Sequence, residues 1–288
     1  MPGKDTKTVI GKISYTNAWP LFYYVDPQLL RTSASMVTEV PSVLNEGMKR
    51  GDIHIGALSS FAYAEAAEQL QLLPDLSVSA NGPVKSIFLF SRGPLQTLKN
   101  GTIALTNTSA TSVNLLKILM IKALGGNPEY KTMEPNLELM MEHADAALLI
   151  GDNAIRESWY NRGKYHMTDL GAWWKDFTGC SMTFAVWAVN RKAAAQQPEA
   201  MAEITRMFQD SKRRSLKDLT PILTEATSRI GGTAAYWQGY FNNLCYDFDE
   251  QQQKGLRLYF KYAYELGLLQ QDVKPELWRD NIRMQVKE

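Results

Sequence analysis

The chain has 288 residues, of which 45% are hydrophobic and 21% are charged, and its formal net charge is +1. These values are ordinary for a soluble globular protein of one or two domains. A charge so close to zero gives no overall field that would attract nucleic acid or an acidic membrane surface. Cys180 and Cys245 have neither CxxC nor metal-ligand spacing, so neither a disulfide framework nor a zinc site is expected.

The beginning of the chain carries no targeting signal that we can identify. Residues 1–8 contain no apolar signal-peptide core, and no stretch approaches the roughly 20 apolar residues that a membrane span requires. We therefore expect a cytoplasmic protein with no membrane partner. Nothing in the sequence indicates an obligate protein partner or a nucleic-acid partner.

The first third of the chain alternates strand-like and helix-like runs, which is typical of a mostly parallel sheet covered by helices. Pro41 begins a predicted helix that Gly51 ends, and Ser59-Ser60 caps the next helix. Strands are predicted at residues 9–14, 35–40, 53–58 and 76–79.

Two long apolar runs predict where the chain passes between two lobes. Residues 84–91 are followed by the turn signal Arg92-Gly93-Pro94, and we interpret this run as the crossing into a second lobe. Residues 183–190 would carry the chain back. The predicted lobes are residues 1–91 together with 188–288, and residues 92–187.

The second lobe repeats the alternation of strands and helices before a helical region completes the first lobe. Strands are predicted at 102–106 and 145–150, and Thr111 or Ser112 is expected to cap the helix between them. Beyond residue 190 helices dominate, and the aromatic stripe 236–241 is interpreted as core. The predicted fold class is therefore α/β, with two hinged lobes around a binding cleft and a helical C-terminal region.

Six short polar stretches stand where predicted strands or turns end. Their hydroxyl and amide groups are neutral hydrogen-bond donors at turns whose backbone N–H groups and helix dipoles favour a carboxylate or a phosphate. The stretches are Ser14-Tyr15-Thr16-Asn17, Ser59-Ser60, Asn81-Gly82, Lys85-Ser86, Thr108-Ser109-Ala110-Thr111-Ser112 and Gly151-Asp152. They predict that a small anion binds in the cleft between the lobes.

The motifs of the common cofactor enzymes and hydrolases do not occur. The sequence has no GxGxxG, GxxxxGK[ST], GxSxG or HExxH, and His54, His143 and His166 are scattered. We expect no cofactor and no metal, so any chemistry must be simple or assisted by the substrate.

Eight segments, taken in order, carry a family resemblance that covers almost the whole chain: residues 13–21, 51–52, 58–63, 84–86, 109–113, 149–154, 169–171 and 184–187. Together they resemble the chorismate dehydratases of the futalosine route to menaquinone. The resemblance implies a type II periplasmic-binding-protein fold used by a cytoplasmic enzyme without cofactor or metal. It also implies the conversion of chorismate to 3-[(1-carboxyvinyl)oxy]benzoate and water.

Two alternatives remain beside this reading. The sister enzyme 1,4-dihydroxy-6-naphthoate synthase is similar around Thr111-Ser112, but it typically has a histidine where this chain has Gly151. A non-catalytic carboxylate-binding protein is the other alternative, although such proteins normally carry an export signal. One departure from the dehydratase pattern is Cys180-Ser181, where the family usually has Leu-Pro.

Asn17 and Ser86 are the expected catalytic residues, because an amide and a hydroxyl can stabilise a developing oxyanion or a departing hydroxyl without carrying charge. Each has a structural alternative, Asn17 as a turn residue and Ser86 as a small packing residue. The proton acceptor stays open between the enolpyruvyl carboxylate of the substrate and a side chain. The expected substrate-binding residues are Ser59, Ser60, Ser109, Thr111, Ser112, Gly151 and Asp152.

Overall fold

The computed structural model describes residues 7–279, which form two α/β lobes, each built on one sheet. The strands are β1 (Thr8–Ile13), β2 (Ala34–Glu39), β3 (Ile55–Ser59), β4 (Leu70–Ala80), β5 (Ile87–Ser91), β6 (Thr102–Thr106), β7 (Glu129–Met133), β8 (Ala146–Ile150), β9 (His166–Asp169), β10 (Met182–Asn190) and β11 (Leu244–Cys245). The helices are α1 (Trp19–Phe22), α2 (Pro41–Arg50), α3 (Ser60–Glu65), α4 (Ala110–Ile118), α5 (Leu137–His143), α6 (Gly151–Tyr160), α7 (Leu170–Thr178), α8 (Arg191–Gln196), α9 (Pro198–Lys217), α10 (Thr220–Arg229), α11 (Ala234–Asn243) and α12 (Glu250–Glu265).

The sheet of the first lobe has the strand order β11-β4-β10-β3-β1-β2. β1 pairs in parallel with β2 and β3, whereas β10 is antiparallel to β3 and β4. Every residue of β10 except its last is buried, because this strand lies in the middle of the sheet with helices over it. The parallel strands β1 and β3 therefore end at the same edge of the sheet, which lies beside the second lobe.

The sheet of the second lobe has the order β7-β6-β8-β5-β9. β6 is parallel to β7 and β8, while β5 is antiparallel to β8 and β9. Because β5 runs opposite to β8, the residues just before β5 lie next to the residues just after β8. This geometry brings the polar stretches 85–86 and 151–152 together.

Two strands belong to a different lobe from the one that was expected. β5 pairs only within the second sheet, and β10 pairs only within the first sheet. The chain therefore crosses between the lobes before β5 and before β10, at 81–86 and 179–181, rather than near residues 91 and 187. An apolar run marks a buried strand but does not show which of two sheets it joins. The ends of the expected first lobe, residues 1–6 and 280–288, lie outside the described residues.

The helical region α9–α12 packs mainly on the first lobe. Phe22 of α1 contacts Phe208 of α9 edge-on at a ring distance of 5.3 Å and contacts Trp187 of β10 at 5.4 Å. Lys212 of α9 is buried and forms ion pairs with Asp75 and Asp247 at 2.7 and 2.9 Å. Burial of the ammonium is tolerated because both partners are carboxylates.

The expected helix boundaries are largely confirmed in the first lobe. Gly51, with φ of 81°, ends α2, and the hydroxyl of Ser59 accepts a hydrogen bond from the N–H of Ala62 at the start of α3. The cap of α4 is different from the expected one. Ser109, not Thr111 or Ser112, accepts from the N–H of Ser112, so the helix begins at Ala110.

Candidate active site

The polar stretches meet where the two lobes face each other. The stretches 14–17 and 59–60 follow or end β1 and β3 of the first lobe, and the stretches 108–112 and 151–152 follow β6 and β8 of the second. Four strand-to-helix turns therefore point toward one another across the cleft, and each brings the N-terminal end of a helical segment to it. The contacts between these turns define the candidate site.

Tyr15 of the first lobe packs directly on Gly151 of the second. A Cβ atom added to Gly151 would lie 2.8 Å from two ring carbons of Tyr15, and the backbone of Gly151 has φ of 59°. Both the ring contact and the left-handed backbone favour glycine at this position. Burial raises the pKa of the Tyr15 hydroxyl, and the influence of the Thr108 hydroxyl of the second lobe lowers it by less.

Thr16 and Asp152 form the strongest polar link between the lobes. Oδ1 of Asp152 accepts hydrogen bonds from Oγ1 of Thr16 at 2.5 Å and from its backbone N–H at 3.2 Å. Burial raises the pKa of Asp152, while the two Thr16 hydrogen bonds and, after them, Arg156 and Arg229 lower it by less. Asp152 stands in the first turn of α6 without capping the helix, since the N-cap is Ile150.

Thr111 forms a second link between the lobes at the start of α4. Its Oγ1 accepts a hydrogen bond from the backbone N–H of Phe61 at 3.0 Å. Its carbonyl oxygen accepts from the hydroxyl of Tyr259 on α12, also at 3.0 Å. Thr111 is therefore buried between three helices, and its hydroxyl already has a partner.

Ser86 lies at the base of the cleft, in the segment just before β5. Its carbonyl oxygen accepts from the N–H of Gly151 at 2.7 Å, so it is held beside the Tyr15–Gly151 contact. The side chain is buried, and its hydroxyl makes a long hydrogen bond of 3.4 Å to the carbonyl oxygen of Val84. A hydroxyl held this weakly can turn toward a ligand.

Asp169 fixes the crossing segment that carries Ser86. Its two carboxylate oxygens accept from the N–H groups of Val84 at 3.0 Å and Lys85 at 2.7 Å, and one of them also caps α7 at Ala172. Lys85 has φ of 60°, an unfavourable backbone conformation for lysine that the carboxylate stabilises. Asp169 belongs to a segment that carries the family resemblance, but it was not predicted as a site residue.

Asn17 follows Thr16 in a short 3₁₀ helix, Thr16–Ala18. Its Oδ1 is buried and has no hydrogen-bond partner among the described residues. A buried polar atom without a partner costs about 1–3 kcal/mol, so such atoms are rare in the absence of a reason. The amide of Asn17 is thus an acceptor that a ligand in the cleft can satisfy.

The predicted residues on β3 and α3 have partners within the first lobe. Ser59 exchanges two hydrogen bonds with Asn45, one between Nδ2 and the serine hydroxyl at 3.1 Å and one between the serine N–H and Oδ1 at 3.0 Å. The hydroxyl of Ser60 donates to the carbonyl oxygen of Thr183 at 2.8 Å. Both hydroxyls therefore hold the scaffold of the cleft.

The predicted residues Ser109 and Ser112 pair with each other at the start of α4. The Ser109 hydroxyl caps the N–H of Ser112 at 3.2 Å and donates to the Ser112 hydroxyl at the same distance. These contacts leave the first backbone N–H groups of α4, at Ala110 and Thr111, pointing out of the helix end. The helix start, rather than the serine hydroxyls, is thus the part best arranged for an anion.

The structure adds Tyr240, which the sequence analysis interpreted as part of an aromatic core. Its ring is buried as expected, but its hydroxyl has no hydrogen-bond partner among the described residues. The aromatic stripe did not predict an unpartnered hydroxyl, because helical spacing indicates that a ring is buried but not whether its hydroxyl has a hydrogen-bond partner.

Residues 7–279 contain neither a candidate metal site nor a candidate membrane-spanning helix. No group of three or more histidine, cysteine, aspartate or glutamate side chains is arranged to hold a metal ion in this part of the chain. Within the same residues, none of the helices has the length and apolar character needed to span a membrane.

Comparison with known proteins gives the family of the sequence. A family model described as menaquinone biosynthesis matches residues 8–265. A chorismate dehydratase of Thermus thermophilus is 32% identical over 274 residues, which cover 90% of this chain and 95% of that protein. A 1,4-dihydroxy-6-naphtoate synthase of the same organism is 24% identical over 249 residues, covering 83% and 86% of the two chains.

Comparison with solved structures gives the fold. The periplasmic aliphatic sulphonate binding protein SsuA of Escherichia coli matches with a TM-score of 0.67 and 15% identity, over 95% of this chain and 92% of that one. This similarity confirms the expected periplasmic-binding-protein-like fold. At such low identity it says nothing about the ligand.

Proposed function

Because the chain belongs to the menaquinone-biosynthesis family, we propose that it is a chorismate dehydratase, a hydro-lyase that converts chorismate to 3-[(1-carboxyvinyl)oxy]benzoate and water. The structural observation that carries the proposal is the meeting of uncharged polar groups between the lobes. The carbonyl oxygen of Ser86 bonds to Gly151 where that residue contacts Tyr15, Asn17 follows Tyr15 by two residues, and the start of α4 belongs to the second link between the lobes, at Thr111. The cytoplasmic location and the lack of cofactor, metal and obligate protein partner remain predictions.

The proposed reaction needs no oxidant or reductant. Chorismate carries two carboxylates, a hydrogen on ring carbon C3 and a hydroxyl on C4. The proton leaves C3, its electron pair spreads toward the ring carboxylate and then forms the C3–C4 double bond, and the C4 hydroxyl departs with its own electron pair. The departing hydroxyl takes up the proton that was removed from C3, returned by the carboxylate that accepted it, and becomes water. Because the ring becomes aromatic, the protein mainly has to orient the dianion and stabilise the charge that develops.

Asn17 and Ser86 are the proposed catalytic residues. The unpartnered Oδ1 of Asn17 would accept a hydrogen bond from the C4 hydroxyl, which removes the cost of the buried acceptor. The hydroxyl of Ser86, held only by the long bond to Val84, would turn and donate to the oxygen on which charge develops. Neither group changes its charge during the reaction.

One carboxylate of the substrate is proposed to bind at the start of α4. The first N–H groups of this helix point outward, and the helix dipole favours a negative charge there. The neighbouring hydroxyls of Ser109, Thr111 and Ser112 would support the site by holding the helix start in place.

The proposed proton acceptor is the enolpyruvyl carboxylate of chorismate itself. Asp152 is the carboxylate that links the turns of this site, but Thr16 donates two hydrogen bonds to its Oδ1. Those bonds stabilise the link between the lobes and leave Asp152 poorly placed to take a proton from the substrate. A substrate that carries its own base is consistent with a site built from neutral groups.

Gly151 favours the dehydratase over the sister activity. The sister enzyme typically carries a histidine at this position. In this structure, the Cβ atom of any side chain at residue 151 would clash with the ring of Tyr15. The contact between Tyr15 and Gly151 thus suits a cleft without a catalytic imidazole. This supports the dehydratase reading on a structural ground that is independent of overall identity.

Incubation of the purified protein with chorismate tests the proposal, with products followed by mass spectrometry and heat-inactivated protein as the control for spontaneous decay. We expect a product lighter by one water without added metal or cofactor. Binding of chorismate without turnover would instead support a carboxylate-binding protein. If chorismate neither binds nor reacts, both readings are wrong.

A further inference from the structure

Helix α11 forms one side wall of the cleft and contacts both the crossing segment and the second lobe. Near its C-terminal end, Nδ2 of Asn243 donates to the carbonyl oxygen of Pro83 at 2.5 Å. Near its N-terminal end, the rings of Tyr236 and Trp237 pack edge-on against Trp159 of α6 at 5.0 and 6.1 Å. The middle of α11 is therefore fixed beside the segment that carries Ser86.

Tyr240 lies in this middle part, one helical turn after Tyr236. The two rings are nearly parallel, with an interplanar angle of 5° and a centroid distance of 6.4 Å. The side chain is fully buried, yet its hydroxyl has no hydrogen-bond partner among the described residues. Buried tyrosine hydroxyls usually have a partner, and leaving one without costs about 1–3 kcal/mol.

Ser86 is the polar neighbour of this hydroxyl. Burial raises the pKa of Tyr240 well above its ordinary value, and the nearby Ser86 hydroxyl lowers it by less. Asn243, one helical turn after Tyr240, bonds to Pro83, three residues before Ser86, so Tyr240 stands on the side of α11 that meets this segment. Its hydroxyl has no hydrogen-bond partner among the described residues. The carboxylates of Asp152 and Asp169 raise the same pKa further, so the phenol stays protonated and can act only as a neutral group.

We propose that Tyr240 is a positioning residue that acts through Ser86 in the dehydration proposed above. When substrate binds, the Tyr240 hydroxyl donates to Oγ of Ser86, and the Ser86 hydroxyl in turn donates to the substrate oxygen on which charge develops. The chain of two donors satisfies the buried phenol and fixes the direction of the Ser86 hydroxyl, which in the free protein is held only at 3.4 Å.

A structural role for Tyr240 makes a different prediction. If the ring serves only as core, removal of its unpartnered hydroxyl leaves turnover unchanged and leaves stability equal or higher, since a buried polar atom without a partner disappears. If the hydroxyl positions Ser86, turnover falls while the fold stays intact. Phenylalanine keeps the ring and its packing, so Tyr240→Phe separates the two roles.

Tyr246→Phe is the matched control. Tyr246 is also fully buried, its hydroxyl also lacks a hydrogen-bond partner among the described residues, and burial raises its pKa well above the ordinary value. The groups that affect this pKa after burial are Tyr240 and Cys245, and Ser86 is not among them. Tyr246 follows β11, and its carbonyl oxygen accepts a hydrogen bond from the N–H of Ser77 on β4, so the control removes an equivalent hydroxyl beside the first-lobe sheet rather than one on α11.

The experiment measures kcat and KM for chorismate, and the thermal midpoint, for the wild type, Tyr240→Phe, Tyr246→Phe, Ser86→Ala and the double variant Tyr240→Phe/Ser86→Ala. We expect Tyr240→Phe to lower kcat by about tenfold to about 100-fold with KM changed less than about threefold, because positioning acts on the reacting geometry. Tyr246→Phe should stay close to the wild type. The thermal midpoints of Tyr240→Phe and Tyr246→Phe should equal or exceed that of the wild type.

The double variant tests whether Tyr240 acts through Ser86. Residues that work as one unit are not additive, so the double variant should be no slower than Ser86→Ala by more than about threefold. Unchanged kcat in Tyr240→Phe, or fully additive losses in the double variant, would overturn the role of Tyr240 while the proposed activity of the wild type stands. Absence of the dehydrated product with the wild type would overturn the proposed function and this role together.

Discussion

Two kinds of polar turn meet in this cleft, and they differ in what their side chains do. The helix starts at Ser59 and Ser109 use their hydroxyls within their own lobe, on Asn45 and on Ser112. The turn at Asn17 and the segment at Ser86 keep an unpartnered or weakly held polar atom. Residue type is nearly the same in both regions. The difference shows that a scaffold hydroxyl and a candidate catalytic hydroxyl are distinguished by their partners, not by their chemistry.

The largest effect should come from removing the weakly held groups. Ser86→Ala and Asn17→Ala should each lower kcat by about 100-fold to about 1000-fold, Ser86→Ala because it removes a donor to the developing charge and Asn17→Ala because it removes the acceptor that orients the C4 hydroxyl. Stability should change little, because neither side chain has a strong hydrogen bond to lose. Rates of dehydrated-product formation and urea unfolding curves measure the two quantities. Near-normal turnover in both variants would mean that an unpartnered or weakly held polar atom does not mark a catalytic group in this cleft.

Gly151→Ala should be the most disruptive change at the contact between the lobes. The added Cβ meets the Tyr15 ring, and the left-handed backbone alone costs about 1–2 kcal/mol in an alanine. Gly125→Ala is the matched control, since Gly125 has φ of 68° and open space around it. We expect both to lower the free energy of unfolding, but only Gly151→Ala to lower kcat/KM as well. Equal effects of the two variants would mean that the Tyr15 contact is unimportant.

Ser59→Ala should affect stability more than chemistry. It removes the cap of α3 and leaves Nδ2 of buried Asn45 without its partner, while the backbone N–H of residue 59 still bonds to Oδ1, so the free energy of unfolding should fall by about 1–3 kcal/mol. Turnover per folded molecule should fall far less than in Ser86→Ala. Asn136→Ala is the control, because Asn136 caps α5 at the surface and has no buried partner to leave behind. If Ser59→Ala matches Ser86→Ala in kcat, then Ser59 belongs to the chemistry.

The smallest effect concerns the pH dependence of the link between the lobes. The folded-state pKa of Asp152 is raised above its ordinary value of 3.8, mainly by burial. The folded protein therefore binds the proton more tightly than the unfolded chain does, and this contribution is fully present below pH 3.8 and is lost as the pH rises through the folded pKa. Relative to Asp152→Asn, the wild type should lose stability across that window.

Asp218→Asn supplies a control of opposite sign. Hydrogen bonds from Thr220 lower the pKa of Asp218, so its contribution is present above the ordinary value of 3.8 and is lost as the pH falls through the folded pKa. Urea unfolding at a series of acidic pH values measures both variants against the wild type. The same sign for both would contradict the burial of Asp152 as the cause.

Much of the fold and several site residues could be predicted from local patterns. Gly51 ends α2, Ser59 caps α3, and β6 spans Thr102–Thr106, as turn chemistry and apolar runs predicted. Short or exposed strands such as β7 and β9 were missed, because half-exposed residues give a weak alternation signal. The cap of α4 was misplaced by two or three residues, which is a common error when several serines and threonines are adjacent.

The sequence by itself determined that polar turns would follow buried strands and that they would include Asn17, Ser86 and Gly151. Only the tertiary structure decided which of those polar groups have hydrogen-bond partners within the protein and which remain free to bond to a ligand. The link between Thr16 and Asp152 joins residues 136 positions apart, and the hydroxyl of Tyr240 has no hydrogen-bond partner within residues 7–279. Helical spacing and turn chemistry act over a few residues, whereas a hydrogen-bond partner is chosen by the packing of two lobes that the chain builds separately.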